Sequence, residues 1–221
     1  MFTRGRRIEP ELLDEQSPDA GAASLKDLVR INAMLGGKGV LLRELRRLQP
    51  KSFLDIGAAS GDAAAAVRQE WPHIRTVSLD YRLHHLREAP GERVAADAFR
   101  LPFRRGTFDV VYCGLFLHHF EGESIVHLLE QMRMVAQRFV LINDLERHVL
   151  PWLFLPVTAP LLRWDKITLH DGPRSVQAGF QPRELEHLAL AAGLMNIKVR
   201  KHRPSFRISM VASVPDDTLR V

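Results

Sequence analysis

Apolar runs of strand length alternate with amphipathic stretches of helical period along most of this chain. Phe53, Leu54 and Ile56 form the first such run and lead into a glycine-bearing turn at residues 57–61. A helix pattern opens at Asp62 and is carried by four consecutive alanines. Residues 74–80 read as a second strand ending in Asp80, and residues 93–99 as a third, short strand carrying Asp97. Residues 107–113 form a fourth strand entered through Phe108-Asp109-Val110-Val111, and residues 138–144 a fifth. Between those two, Ile125, Leu128, Leu129 and Met132 fall on one helix face. A further helix is expected over 182–192, with proline in its first turn and Gly193 just past its end. Two alternating strands then close the pattern: Ile197 and Val199, and, after a turn at Pro204-Ser205, Phe206, Ile208 and Met210.

Upstream of the first strand, residues 24–35 and 39–48 read as two helices joined at Gly36-Gly37. In the second, Leu41, Leu45 and Leu48 recur at i, i+4 and i+7. Residues 1–23 lack periodicity and are rich in Pro, Asp and Gly, which predicts a mobile arm. The expected organisation is an arm over 1–23, a helical cap over 24–50 and one α/β domain over 51–221.

The first strand–turn–helix unit lets backbone approach a ligand closely, and two ligand classes use such a turn. A dinucleotide site needs glycine at the first, third and sixth turn positions, which here hold Gly57, Ala59 and Asp62. A carboxylate at the helix N-terminus would also face the pyrophosphate that such a site binds. S-adenosylmethionine has no phosphate and carries a sulfonium and an ammonium group, so an acidic rim suits it.

The stretch Asp55-x-Gly57-x-Ala59-x-Gly61 resembles motif I of the class I S-adenosylmethionine-dependent methyltransferases, with Ala59 in place of the middle glycine. Acids at the ends of the second and third strands follow in the order that family uses. The resemblance covers residues 50–214. It implies a doubly wound, Rossmann-like sheet of seven strands in the order 3-2-1-4-5-7-6, with strand 7 antiparallel. It also implies a cofactor held by Asp55, Gly57, Ala58, Ala59 and Gly61 in the turn. Asp80 would take the ribose hydroxyls, Tyr81 would lie against adenine, and Asp97 with Ala98 would meet the adenine amino group. Cys113, at the end of the fourth strand, would be small filler near the cofactor.

Length and composition agree with a single domain: 221 residues, 46% of them hydrophobic. One cysteine excludes an internal disulfide and a cysteine zinc cluster. The N-terminal residues have no apolar core of a secretory signal, which favours the cytoplasm. The net charge is +5, yet the arginines are scattered rather than gathered into one run. The Asp/Asn-Pro-Pro-aromatic motif of nucleobase amino methyltransferases is replaced by Cys113-Gly-Leu-Phe, so a nucleic-acid partner is disfavoured.

Residues 149–162 are the most apolar part of the chain, contain three prolines and are too short to span a bilayer. They read as a broken core helix, as a cap over a hydrophobic acceptor, or as a peripheral membrane contact. Their exposed sides also suit a dimer contact. Three places offer a base for methyl transfer. His118-His119 lies in a Leu-x-Leu-His-His-Phe run just past the fourth strand. His170-Asp171, expected on a glycine–proline loop over 168–175, is the preferred catalytic pair. Asn143-Asp144 ends the fifth strand, with Asp144 read as the cap of the following helix. No set of three oxygen ligands marks a metal site. The sequence therefore predicts methyl transfer to oxygen, ahead of carbon, of a hydrophobic small molecule such as a polyketide-derived phenol, pyrone or quinol. An RNA methyltransferase and a cofactor-binding protein of regulatory role are the alternatives.

Overall fold

The computed structural model of the protein describes residues 2, 3, 5–12, 27, 31 and 37–215. The helix expected over 24–35 lies almost wholly outside them. Seven strands form one sheet in the order β3-β2-β1-β4-β5-β7-β6. They are β1 (Ser52–Ile56), β2 (Arg75–Asp80), β3 (Glu92–Ala95), β4 (Phe108–Gly114), β5 (Ala136–Leu145), β6 (Met195–His202) and β7 (Arg207–Ser213). β1 to β5 run parallel, and β7 enters antiparallel between β5 and β6. The order reverses between β1 and β4, so their carboxyl ends frame the crevice in which such sheets bind ligands.

The central strands are buried on both faces, as helix-covered parallel strands must be. Phe53, Val110, Tyr112 and Leu141 pack under α1 (Gly37–Leu48) and α2 (Asp62–Glu70). Leu54, Ile56, Val111, Val140 and Ile142 point to the opposite face. There they meet α3 (Gly122–Val135) and α6 (Pro182–Ala191), through Ile125, Leu128, Leu129, Leu185 and Ala189. The expected helix over 182–192 is held at its start by a reciprocal pair: Glu184 accepts from the Gln181 backbone at 2.8 Å, while the Gln181 side chain receives the Glu184 backbone.

Of the three helices that follow β5, the first two differ from the sequence expectation. Residues 149–162 form one unbroken helix, α4 (Val149–Leu162), with Pro156 and Pro160 inside it. Only Leu155 among its residues is buried, so α4 is not a core helix. Residues 168–175, expected as a loop, lie within α5 (Lys166–Ala178), and Gly172-Pro173 sits mid-helix. The reason is packing: a Cβ on Gly172 would come within 2.1 Å of Leu155 Cδ1, so glycine lets α4 and α5 approach. Residues expected as a mobile arm instead run along α5 where they are described. Arg6 donates to the Ala178 carbonyl at 2.8 Å and to the Phe120 carbonyl at 3.0 Å, and Gln177 bonds to Thr3 and Gly5.

Candidate functional site

The turn after β1 is built from left-handed backbone. Gly57 has φ +68°, and a Cβ there would strike the Phe116 ring at 2.8 Å; Gly61 has φ +75° and no room beside Ala89. Ala59 also lies in the left-handed region, at φ 45°. Backbone bonds fix the turn to β2. The Ala58 amide donates to the Leu79 carbonyl at 3.0 Å, and the Ala59 amide donates to Asp80 Oδ2 at 3.0 Å. Asp80 Oδ1 receives the Arg82 amide at 2.9 Å and faces His85 Nδ1 at 3.1 Å. Each carboxylate oxygen can accept further bonds, so Asp80 retains capacity for a hydroxyl-bearing ligand.

A pocket of about 220 Å³ opens at these strand ends. Five residues expected at the cofactor line it: Gly57, Asp80, Tyr81, Asp97 and Ala98. The other lining residues are Leu79, Phe99, Phe116 and Phe120, an apolar wall that sequence reasoning did not assign. Phe120 packs edge-on against both Phe99 and Phe116, at 5.1 and 4.9 Å. Tyr81 is 78% exposed, leaving its ring face open to stack on a planar group. Asp97 Oδ1 accepts the Phe99 amide at 2.9 Å, which leaves its other oxygen available.

Asp55, Ala58, Ala59, Gly61 and Cys113 do not line this pocket. Asp55 is buried under α2; burial pushes its carboxyl up to about 8, with Asp80 and Asp62 adding to the rise and a backbone bond from Ala64 opposing it. The group is therefore a largely protonated support of the turn at neutral pH. Cys113 is fully buried in the core between Ile56 and Ile142, and burial raises its thiol.

The second part of the site is a buried histidine–carboxylate pair. His118 Nδ1 lies 2.6 Å from Asp144 Oδ1, joining the short turn Leu117–His119 after β4 to the end of β5. Asp144 is thus not a helix cap; His148 caps α4, accepting the Leu150 amide at 3.1 Å, and Arg147 pairs with Glu184 at 2.6 Å. Burial would lower the His118 value, but the charge and hydrogen bond of Asp144 raise it above that of an ordinary histidine. Burial would raise Asp144, yet His118 holds it below the usual carboxylate range. Arg207, buried at the start of β7, adds positive charge that acts on Asp144.

His119 lies beside His118, with ring centroids 4.3 Å apart. Glu11 reaches the same place: one ligand atom from each of Glu11, His118 and His119 lies within 4.8 Å of the others. Ser175 of α5 donates to Glu11. The pair favoured from sequence, His170 and Asp171, is formed at 2.7 Å, and Asp171 also accepts the Leu12 amide at 3.0 Å. Residues 11 and 12 thus connect the two histidine–acid pairs. Arg207 and Glu11 are the members that sequence reasoning missed, and Asp144, read there as a cap, is instead the partner of His118.

Comparison with known proteins agrees with this geometry. Residues 54–138 match the family model described as a methyltransferase domain. Over 80 residues the chain is 31% identical to the malonyl-[acyl-carrier protein] O-methyltransferase of Xylella fastidiosa, covering 33% of this chain and 27% of that one. Over 96 residues it is 27% identical to the demethylmenaquinone methyltransferase of Thermotoga maritima, covering 41% of each. The chain thus spans well under half the length of either curated relative. A solved plantazolicin methyltransferase in complex with S-adenosylhomocysteine superposes with a TM-score of 0.68 at 16% identity, covering 90% of this chain and 92% of that one. The strand order, the turn at residues 57–61 and the match over residues 54–138 make this chain similar to the class I S-adenosylmethionine-dependent methyltransferases.

Proposed function

We propose that the protein transfers the methyl group of S-adenosylmethionine to an oxygen of a hydrophobic small molecule, with His118 as the general base. The observation that carries this reading is the buried His118–Asp144 pair, whose histidine stands in the same short segment that supplies Phe116 and Phe120 to the pocket wall. The residues present suit the cofactor: Asp80 would accept ribose hydroxyls, Tyr81 and Phe99 would flank adenine, and Asp97 would accept from its amino group. The bound cofactor supplies an electrophilic methyl carbon on a sulfonium. His118 would remove the acceptor's proton, the acceptor oxygen would form the new bond to carbon, and the C–S electron pair would return to sulfur. Asp144 would hold the imidazole in the tautomer with Nε2 free and stabilise the imidazolium that forms. The apolar aromatic wall would exclude water from the reacting groups.

The two curated relatives differ in acceptor by name, one an acyl-carrier-protein O-methyltransferase and one a demethylmenaquinone methyltransferase. The apolar Phe116 and Phe120 of the pocket wall favour a phenol, pyrone or quinol over a polar acceptor. The test is calorimetric titration with S-adenosylmethionine and S-adenosylhomocysteine, followed by labelled-methyl transfer to a panel of phenols, pyrones, quinols and tRNA. His118→Asn should keep cofactor affinity and lose turnover by roughly 10²–10⁴-fold, the usual contribution of a positioned base. Transfer to tRNA alone, or full turnover by that variant, would overturn the assignment. Loss of activity in His170→Ala with His118→Asn intact would move the base to α5.

A further inference from the structure

We infer that α4 is a docking helix for an anionic lipid surface. Its exposed positions recur at three- and four-residue spacing and so form one stripe along the helix. Every one is apolar: Val149, Leu150, Leu153, Val157 and Leu161, with two prolines between them. Leu161 is 82% and Val157 69% exposed. A surface helix ordinarily turns polar residues outward, and α4 contains no charged residue at all.

The opposite side of the helix is already committed, so α4 cannot simply roll inward. Leu155 packs on Gly172 of α5, Trp152 lies 5.9 Å from the Phe2 ring, and the Trp164 indole donates to Thr158 at 2.8 Å.

Charge decides what covers the stripe. At its carboxyl end Arg163 and Lys166 are both exposed, and among the described residues neither is held in an ion pair. The intervening Asp165 accepts the Ile167 amide through Oδ1 at 2.9 Å, and the buried Asp27 accepts the Asp165 amide at 2.7 Å, so both acids are turned to backbone rather than paired with these cations. An apolar face ending in free cations matches the acyl boundary and anionic headgroups of a bilayer surface. A second copy packed stripe to stripe would bring an α4 that holds no acid to complement these cations. No helix among the described residues is long and apolar enough to cross a membrane, so α4 would lie in the interfacial plane.

Docking requires neither cofactor nor His118, so its outcome is separate from that of the methyltransferase assay. The test is flotation of the full chain with vesicles of phosphatidylcholine alone and of phosphatidylcholine mixed with phosphatidylglycerol. The protein should float with the mixed vesicles, and less so as salt rises. The Val157→Asp, Leu161→Asp double variant should lose about tenfold or more of that binding. Arg163→Glu with Lys166→Glu should abolish the preference for the anionic vesicles. An unchanged melting temperature would show that these surface variants are folded. Failure of the wild-type protein to float with either vesicle would overturn the inference. So would equal binding by the double aspartate variant, or a dimer in light scattering that the same variant dissociates.

Discussion

Ala59 occupies the middle position of the turn with φ 45°, where a side chain is strained. Its amide is fixed on Asp80 at 3.0 Å, so the turn imposes the conformation and the alanine bears the cost. Glycine would adopt it freely. Ala59→Gly should therefore stabilise the protein by about 1 kcal/mol, less whatever the unfolded chain gains in freedom. In thermal unfolding that is a rise of roughly 2–4 °C for a chain of this size. An unchanged or lowered melting temperature would show that the turn is not strained there. The acids of the cofactor pocket were readable from sequence because Asp80 closes β2, Asp97 stands two residues past β3, and each strand is a local pattern. Asp80 and Asp97 needed only the strand ends to be found. His118 and Asp144 are 26 residues apart, and no spacing rule connects them; only the neighbouring positions of β4 and β5 in the sheet bring them together.

At the scale of elements, periodicity located all seven strands and the helices that cover them, because both faces of the central sheet are buried. It misread α4 and α5 for two different reasons. An apolar run normally means burial, yet the outward face of α4 is as apolar as its inward one. Gly172-Pro173 normally marks a loop, yet the glycine answers a packing demand from the neighbouring helix. Gly172 also spares the residue before proline the clash that a Cβ would bring. Gly172→Ala should thus gain about 1 kcal/mol of helix propensity but lose roughly 1–3 kcal/mol to overpacking against Leu155. The net expectation is destabilisation in urea unfolding. In a Leu155→Ala background the clash is gone, so the same substitution should become neutral or stabilising. A double-mutant cycle with no coupling would show that α4 and α5 do not meet at this point.

Across the whole molecule, the candidate site is an assembly of parts distant in the chain: Glu11, the turn after β4, the end of β5 and the start of β7. The His118–Asp144 pair ties two of these parts together, and its charges make the assembly sensitive to pH. His118 has a raised value, so the stability it contributes is complete below the ordinary histidine range and is lost as pH rises through the raised value. Asp144 has a lowered value, so its contribution is complete above the ordinary carboxylate range and is lost as pH falls through the lowered value. Between those limits both groups are charged, and the pair contributes most. Thermal unfolding of the wild type and of His118→Gln across this range should show the largest gap in the mildly acidic region, where the imidazolium faces the carboxylate. The gap should narrow on both sides, toward alkaline pH as His118 loses its proton and toward strong acid as Asp144 gains one. A gap that stays constant with pH would mean the pair is held by packing alone. The same loss of the His118 proton is what a general base requires. Methyl transfer should accordingly increase with pH over the interval in which the stability gap closes, with a midpoint above the ordinary histidine value.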